Sequence, residues 1–380
     1  MLLKPIRGKV RVWQIRVVDK GDFAVIQTEY GQQGSKITVT EKEVKSGKNI
    51  GRSNETTPYQ QALLEAKAAW TLVKKDGYVE DLTTFKPTMK PMSYHTFMDN
   101  LKKVTWPAIT QPKLEGIHCV VRRCGNSIAY MSRELNLFST LDYMTDHLLA
   151  ILEDGEEVSM ELYAHDTTDL TAKGVPDHLR VSYIQRVYFE DIVSLVKDPD
   201  SEELRRILLK GYVFDLNSPN IPVERRLEVL SHRIEMLQDD SPIIAVPFYE
   251  VDSLEEFLEM HEEFKQDGYE GSVYKRMGSL YQHDYRSYDV LKHKDMISLE
   301  FPIVDVIEGV GRFKGKAVFV CRADNGATFS VITAGKADLK EKYLRDRNTL
   351  IGTGLTVQYQ RLTKKGVPYL PVGLAPRNYE

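Results

Sequence analysis

Hydrophobic periodicity changes character twice along this chain, and each change sets a boundary that a single core cannot cross. Residues 1–90 open with alternating, β-branched text at Val10–Val18 and Phe23–Gln27, which predicts an antiparallel sheet. Ser46–Ser53 is rich in Gly, Ser and Lys and predicts an exposed loop. Thr57–Lys75 predicts a helix: Thr57 can cap it, Pro58 suits its first turn, and Leu63, Leu64, Ala66, Trp70 and Val73 form an apolar stripe that ends before Gly77. Thr84–Pro91 reads as a linker. Residues 91–297 then alternate short strands and helices. Strands are expected at His118–Arg123, Ser127–Met131, Val158–Leu162, Val187–Asp191, Tyr212–Leu216 and Gly271–Lys275, and helices at Leu141–Leu152, Ser201–Lys210, Ile221–Gln238 and Ser253–Asp267. Residues 298–380 return to β at Glu300–Glu308, Ala317–Arg322, Thr328–Thr333 and Leu355–Arg361, with one helical stretch at Lys336–Arg345. The chain is too long for one ordinary domain. The expectation is three: a sheet-plus-helix module (1–90), an α/β (α+β) core (91–297) and a small β-barrel (298–380).

Charge sharpens that division. Residues 1–90 hold 16 Lys and Arg against 10 Asp and Glu, an excess of six positive charges. Under a total of −4, the remainder is ten negative. A basic module on an acidic body suits nucleic-acid contact through the module, although a solvated surface gives the same numbers. No apolar run approaches the roughly 20 residues that span a bilayer, so no membrane partner is expected. Met1–Arg7 is too short in apolar residues for a secretory signal. Cys119, Cys124 and Cys321 lack metal-ligand spacing and read as reduced thiols of an intracellular protein. No Walker A or GxGxxG sequence is present, so phosphate would be handled by side-chain cations.

Five short motifs follow in order: Gln111–His118 (QPKLEGIH), Glu161-Leu162-Tyr163, Val213-Phe214-Asp215, Glu270–Lys275 (EGSVYK) and Leu291-Lys292-His293-Lys294. That series resembles the ATP-dependent DNA ligases of the covalent nucleotidyltransferase superfamily. Glu300–Gly309 and Val357–Gln360 resemble the C-terminal OB-fold of the small viral and bacterial members. Residues 1–90 resemble a WGR domain at Tyr30–Gly34, the long helix and Lys75–Tyr78, with Tyr30 and Gln32 where that family has Trp and Arg.

The resemblance implies a chemistry. Lys113 would be the nucleophile that carries AMP from ATP, and Lys292 and Lys294 would contact the α-phosphate and help bring Lys113 to its neutral form. Gln111, Glu115, His118, Glu161 and Phe214 would hold the nucleotide, with Glu161 on the ribose and Phe214 stacked on adenine. Glu270, with Glu161, would hold Mg²⁺. The partner would be nicked duplex DNA, gripped by Ser132 and Arg133 at the 5′-phosphate, by Arg312, Lys314 and Lys316 in the barrel, and by Lys45, Lys48 and Arg52 in the N-terminal module. The family pattern has Asp and Arg where this chain has Glu115 and His118, and Ser159-Met160 replace Asp-Gly. A histidine at that position would make adenylylation or end joining slower or more pH-sensitive. A virus or phage source and a monomer suit the compact architecture. Two rivals stay open: an RNA ligase or capping-type nucleotidyltransferase, and a non-catalytic nucleic-acid-binding relative.

Overall fold

A computed structural model describes residues 1–6, 9–84, 89–165, 174–178 and 187–377. It divides into two compact units, Met1–Lys90 and Pro91–Glu380.

In the first unit, β1 (Leu2–Ile6), β2 (Lys9–Asp19), β3 (Ala24–Gln32) and β4 (Thr38–Val44) form an antiparallel sheet in sequential order. Helix α1 (Pro58–Lys75) packs on it. Its start carries a capping box: the Thr57 hydroxyl accepts from the Gln60 N–H, and the Gln60 side chain accepts from the Thr57 N–H. The buried face is only partly the expected one: Ala66 is buried and Trp70 packs against Trp13, but the two leucines are not part of it. Ala62 and Ala66 meet Ala24, Ile26 and Val44, whereas Leu63 and Leu64 are exposed. Small alanines let the helix lie close to the sheet, and two adjacent leucines cannot both share the face that Ala62 and Ala66 occupy. The sequence also understated the β content, because β4 is almost wholly exposed and shows no apolar alternation.

The second unit holds two five-stranded sheets and a barrel. In chain order its elements begin with β5 (Ser93–Thr96), β6 (Ala108–Lys113), β7 (Ile117–Cys124), β8 (Ser127–Ser132), α2 (Thr145–Ile151) and β9 (Glu157–Tyr163). They continue with α3 (Phe189–Lys197), α4 (Glu202–Leu208), β10 (Lys210–Leu216), α5 (Val223–Glu235), β11 (Ile243–Ala245), β12 (Tyr249–Val251), α6 (Leu254–Gln266), β13 (Gly271–Arg276) and β14 (Arg286–His293). One sheet runs β11-β10-β9-β7-β8 and the other β12-β6-β13-β14-β5.

The expected strand at Val187–Asp191 is a helix start instead. Asp191 accepts from the Tyr188 N–H, and Ile192, Leu195 and Val196 then recur at helical spacing on a buried face. The aromatic, β-branched text Val187-Tyr188-Phe189 carried the strand signal, and tertiary burial of the helical stripe overrides it. Strand β6, which carries Lys113, was not anticipated: Pro107 precedes it and Pro112 interrupts its text, yet it is buried along nearly its whole length.

Strands β15 (Ile297–Glu308), β16 (Ala317–Arg322) and β17 (Thr328–Thr333), helices α7 (Ala337–Arg345) and α8 (Arg347–Leu350), and strands β18 (Gly354–Tyr359) and β19 (Val372–Arg377) complete the unit. The strands close into a barrel in the order β15-β16-β17-β19-β18 around Phe301, Ile303, Phe319, Val331 and Val357. Strand β18 stops at Tyr359 rather than at the expected Arg361, and Gln360 and Arg361 turn out of the barrel. Among the described residues, no helix is long and apolar enough to cross a membrane.

Candidate active site

Register places the site. Gln111 on β6, Val273 on β13 and Lys292 on β14 are cross-strand neighbours. Because side chains alternate, Lys113 and Lys275 lie on the same face of that sheet. On the other sheet His118 of β7 pairs with Glu161 of β9. The β9–β10 register breaks between Val213 and Asp215, and Phe214 sits at the break. These residues line one cavity of about 490 Å³, together with Tyr94, Arg133 and Arg286. That size suits a small organic ligand.

Gly116 makes the close approach of the two chains possible. A Cβ there would stand 2.2 Å from the Leu162 carbonyl oxygen and 2.8 Å from Cγ of Glu161. The bare Gly116 N–H instead donates to Glu161 at 3.1 Å.

Charge is concentrated around Glu270. Its buried carboxylate is ion-paired with both Lys113 and Lys294 and accepts from Gln360, and its backbone N–H donates to the Lys113 carbonyl at 2.9 Å. Burial raises the Glu270 pKa, but the two ammonium groups outweigh it and hold the carboxyl below its ordinary value. Burial alone would lower Lys113, yet Glu270 and then Glu161 hold its pKa above the usual lysine value. In this state the nucleophile predicted from sequence is a paired ammonium. Lys292 is lowered first by burial and then by Lys294 and Lys113, and Lys294 first by burial and then by Lys113. Glu161 differs from Glu270. Burial pushes its pKa up to about 7, because Lys113 and the Gly116 N–H compensate only in part.

His118 does not behave as its residue type suggested. Burial, followed by Arg133 and Lys113, pushes its pKa down to about 4, which favours the neutral ring at neutral pH. Its ring meets Phe214 edge-on, 5.3 Å between centroids, and its Nε2 is buried without a hydrogen-bond partner. Gln111 donates to the Val246 carbonyl at 3.3 Å, while its own Oε1 is buried and unpartnered. Below Phe214, Lys275 donates to the Phe214 carbonyl at 2.7 Å and pairs with Asp215 at 3.2 Å, and Arg226 holds the other Asp215 oxygen at 2.7 Å. All three charged groups are fully buried, and burial lowers Lys275 to about 8.

Glu115 is not brought to the cavity. Its carboxylate is ion-paired with Arg361, which leaves the barrel just after β18. Ser132 accepts from the Asn136 N–H at 3.1 Å in a tight turn beside Arg133. Arg312 lies over the Phe313 ring at 4.7 Å in a turn with the exposed Lys314 and the half-buried Lys316. Lys45 and Lys48 are exposed in the N-terminal unit, paired with Glu43 at 3.1 Å and Glu65 at 3.8 Å, and Arg52 is exposed. Sequence reasoning missed Lys275, Arg286, Gln360 and Arg361. Lys275 closes the fourth motif and could have been named, whereas Arg286 and Arg361 carried no local signal.

Two family models match the chain: an ATP dependent DNA ligase domain over residues 88–294, and a DNA ligase OB-like domain over residues 308–377. DNA ligases of African swine fever virus are similar. That of the Warthog/Namibia isolate is 25% identical over 344 residues, covering 86% of this chain and 77% of the viral protein. That of the Tick/Malawi isolate is 26% identical over 347 residues with the same coverage. Among solved structures, one named Pmar-Lig_PreS3 superposes with a TM-score of 0.67 at 18% identity, covering 85% of this chain and 76% of its own. A Lig E DNA ligase gives 0.55 at 16% identity, covering 76% and 98%. These two likenesses concern the fold. With the first family model spanning more than half its length, all five motifs included, the chain belongs to the ATP-dependent DNA ligase family.

Proposed function

We propose that this protein seals 3′-hydroxyl/5′-phosphate nicks in duplex DNA through a lysyl-AMP on Lys113. The observation that carries the reading is that Lys113, Glu161, Phe214, Lys275 and Lys292, taken from five separate motifs, line one cavity. The cavity also fits a nucleotide by its unmet polar atoms. The buried Gln111 Oε1 and His118 Nε2 can meet groups on the base or sugar. Phe214 supplies the aromatic face for adenine.

Three transfers balance the reaction. Lys113 Nζ attacks the α-phosphorus of ATP, a P–N bond forms and pyrophosphate leaves. The nick 5′-phosphate then takes AMP from Lys113 through a phosphoanhydride bond. The 3′-hydroxyl finally displaces AMP and forms the phosphodiester. Lys113 must give up a proton before the first attack, and the Glu270 carboxylate is already paired with it. Lys292 and Lys294, with pKa values held down by burial and by neighbouring cations, provide positive charge to the phosphate.

The carboxylates suit a hard divalent cation. Glu161, with its pKa raised to about 7, lacks enough positive charge, whereas Glu270 already has two ammonium partners. Glu161 would therefore be the first ligand for Mg²⁺ and Glu270 the second. A bound Mg²⁺ supplies neutralisation of phosphate charge. Arg133 and the barrel cations Arg312, Lys314 and Lys316 would track the DNA backbone. The basic N-terminal unit would add phosphate contacts through Lys45, Lys48 and Arg52, as a WGR-like module.

Incubation with α-labelled ATP and Mg²⁺, followed by nicked DNA, tests the reading. Label should appear on the wild type, be absent from Lys113→Ala, and leave the protein as DNA is sealed. Label that forms but is discharged only by RNA ends would overturn the DNA acceptor. Labelling by GTP alone would indicate a capping-type reaction. Label on Lys113→Ala would remove Lys113 from its role.

A further inference from the structure

The motif Lys292-His293-Lys294 has a second face. Along an extended chain, alternate side chains point to opposite sides. Lys292 lines the cavity and Lys294 pairs with Glu270, while His293 and Asp295 meet residues of helix α6. There they meet His261, whose ring centroid is 4.2 Å from that of His293. One ligand atom from each of His261, His293 and Asp295 lies within 4.8 Å of the others. His261 is 1% exposed and His293 8%, and the His293 Nδ1 is buried without a hydrogen-bond partner. We propose that His261, His293 and Asp295 form a site for a zinc-class divalent cation, with three protein ligands and a position open to solvent beside the exposed Asp295.

The surroundings are those of a built site. His261 Nδ1 lies 2.9 Å from the hydroxyl of the fully buried Ser272, which orients the ring and leaves Nε2, 3.3 Å from Asp295, directed at the cluster. Imidazole ligands are commonly fixed in this way by a partner on their second nitrogen. Ser272 is itself the cross-strand neighbour of His293. Gly271 keeps the space open, since a Cβ there would meet the His293 carbonyl oxygen at 2.3 Å and His261 Cε1 at 3.2 Å. Two imidazoles and one carboxylate match the ligand chemistry of Zn²⁺ and Co²⁺ rather than that of Mg²⁺. Ligands about 2.1 Å from a tetrahedral cation stand roughly 3.4 Å apart, so the cluster contracts on loading. Asp295, beyond the end of β14 and half exposed, is free to make that movement. In this structure the Lys265 ammonium sits on Asp295. It can release Asp295 and keep Glu262, both of whose oxygens lie 3.0 Å away. A cation here would tie the end of β14 to α6 from behind and so fix where Lys292 and Lys294 stand.

The test uses the full chain, stripped with chelator and titrated with Co²⁺. One equivalent should bind with the visible ligand-field absorption of a low-coordinate site, and Zn²⁺ should displace it while Mg²⁺ should not. Ser272→Ala should weaken Co²⁺ binding by about 10–100-fold. The surface substitution Asp295→Asn and the ring substitution His293→Gln should abolish the absorption, with circular dichroism confirming that each variant is folded. Should His293→Gln fail to fold, Asp295→Asn decides alone. Absence of the absorption from the wild type overturns the proposal. Absorption that survives Asp295→Asn unchanged also overturns it, because the cation then sits elsewhere.

Discussion

At the residue scale, the same type of group takes different roles according to its surroundings. Glu161 and Glu270 are both carboxylates beside Lys113, yet burial raises one and paired ammonium groups lower the other. The sign of the consequence follows. A carboxyl whose folded pKa exceeds its unfolded value binds more protons when folded, so stability falls as pH rises between the ordinary glutamate pKa and about 7. Glu161→Gln should flatten that slope in thermal unfolding followed across this pH range without ligand. Mg²⁺ with nucleotide should flatten it in the wild type as well. At His118, with its pKa near 4, the adenylylation rate should show no inflection from this residue at neutral pH. His118→Gln should therefore change the rate without changing the shape of the pH profile. A neutral-range inflection lost in the variant would contradict the assignment.

At the scale of elements, the platform under Phe214 depends on a buried ion triad. Asp215 is held by Arg226 from α5 and by Lys275 from β13, so a helix and both sheets share one charge network. Removing the single carboxylate leaves two buried cations without their counter-charge. Asp215→Ala should therefore destabilise by about 3–5 kcal/mol, read as a fall in the midpoint of chemical unfolding. Gly116 acts through close approach. Gly116→Ala would force β7 away from Leu162 and displace Glu161, so label transfer to Lys113 should fall at least about tenfold while the protein stays folded.

At the scale of the whole molecule, the barrel of the second unit is fastened to the nucleotidyltransferase core by charged groups near the nucleophile. Arg361 pairs with Glu115, Gln360 donates to Glu270, and Lys364 pairs with Asp191 at 3.1 Å. Partly exposed pairs contribute on the order of 1 kcal/mol each and weaken with salt. Arg361→Ala should make the Asp295–Ile297 connection more sensitive to protease, and high salt should do the same to the wild type. For the N-terminal unit, neutralising Lys45, Lys48 and Arg52 together should weaken nick binding and reduce the slope of log affinity against log salt. An unchanged slope would take those three residues off the DNA.

The sequence by itself determined the reaction class, because five short motifs in fixed order carry the side-chain types that covalent nucleotide transfer requires. It also determined four of the five barrel strands, whereas β19, which closes the barrel between β17 and β18, was not anticipated. What it did not determine depends on contacts between residues distant in the chain. The partner of Glu115 lies 246 residues away, and no local pattern selects Arg361 over the other cations. The charge states of Glu161 and His118 follow from burial, which spacing does not encode. The helix at Phe189–Lys197 was hidden behind β-favouring text, and tertiary burial of its apolar stripe decided it. Local chemistry was legible in the text, whereas dielectric environment, register and long-range pairing exist only once the chain is folded.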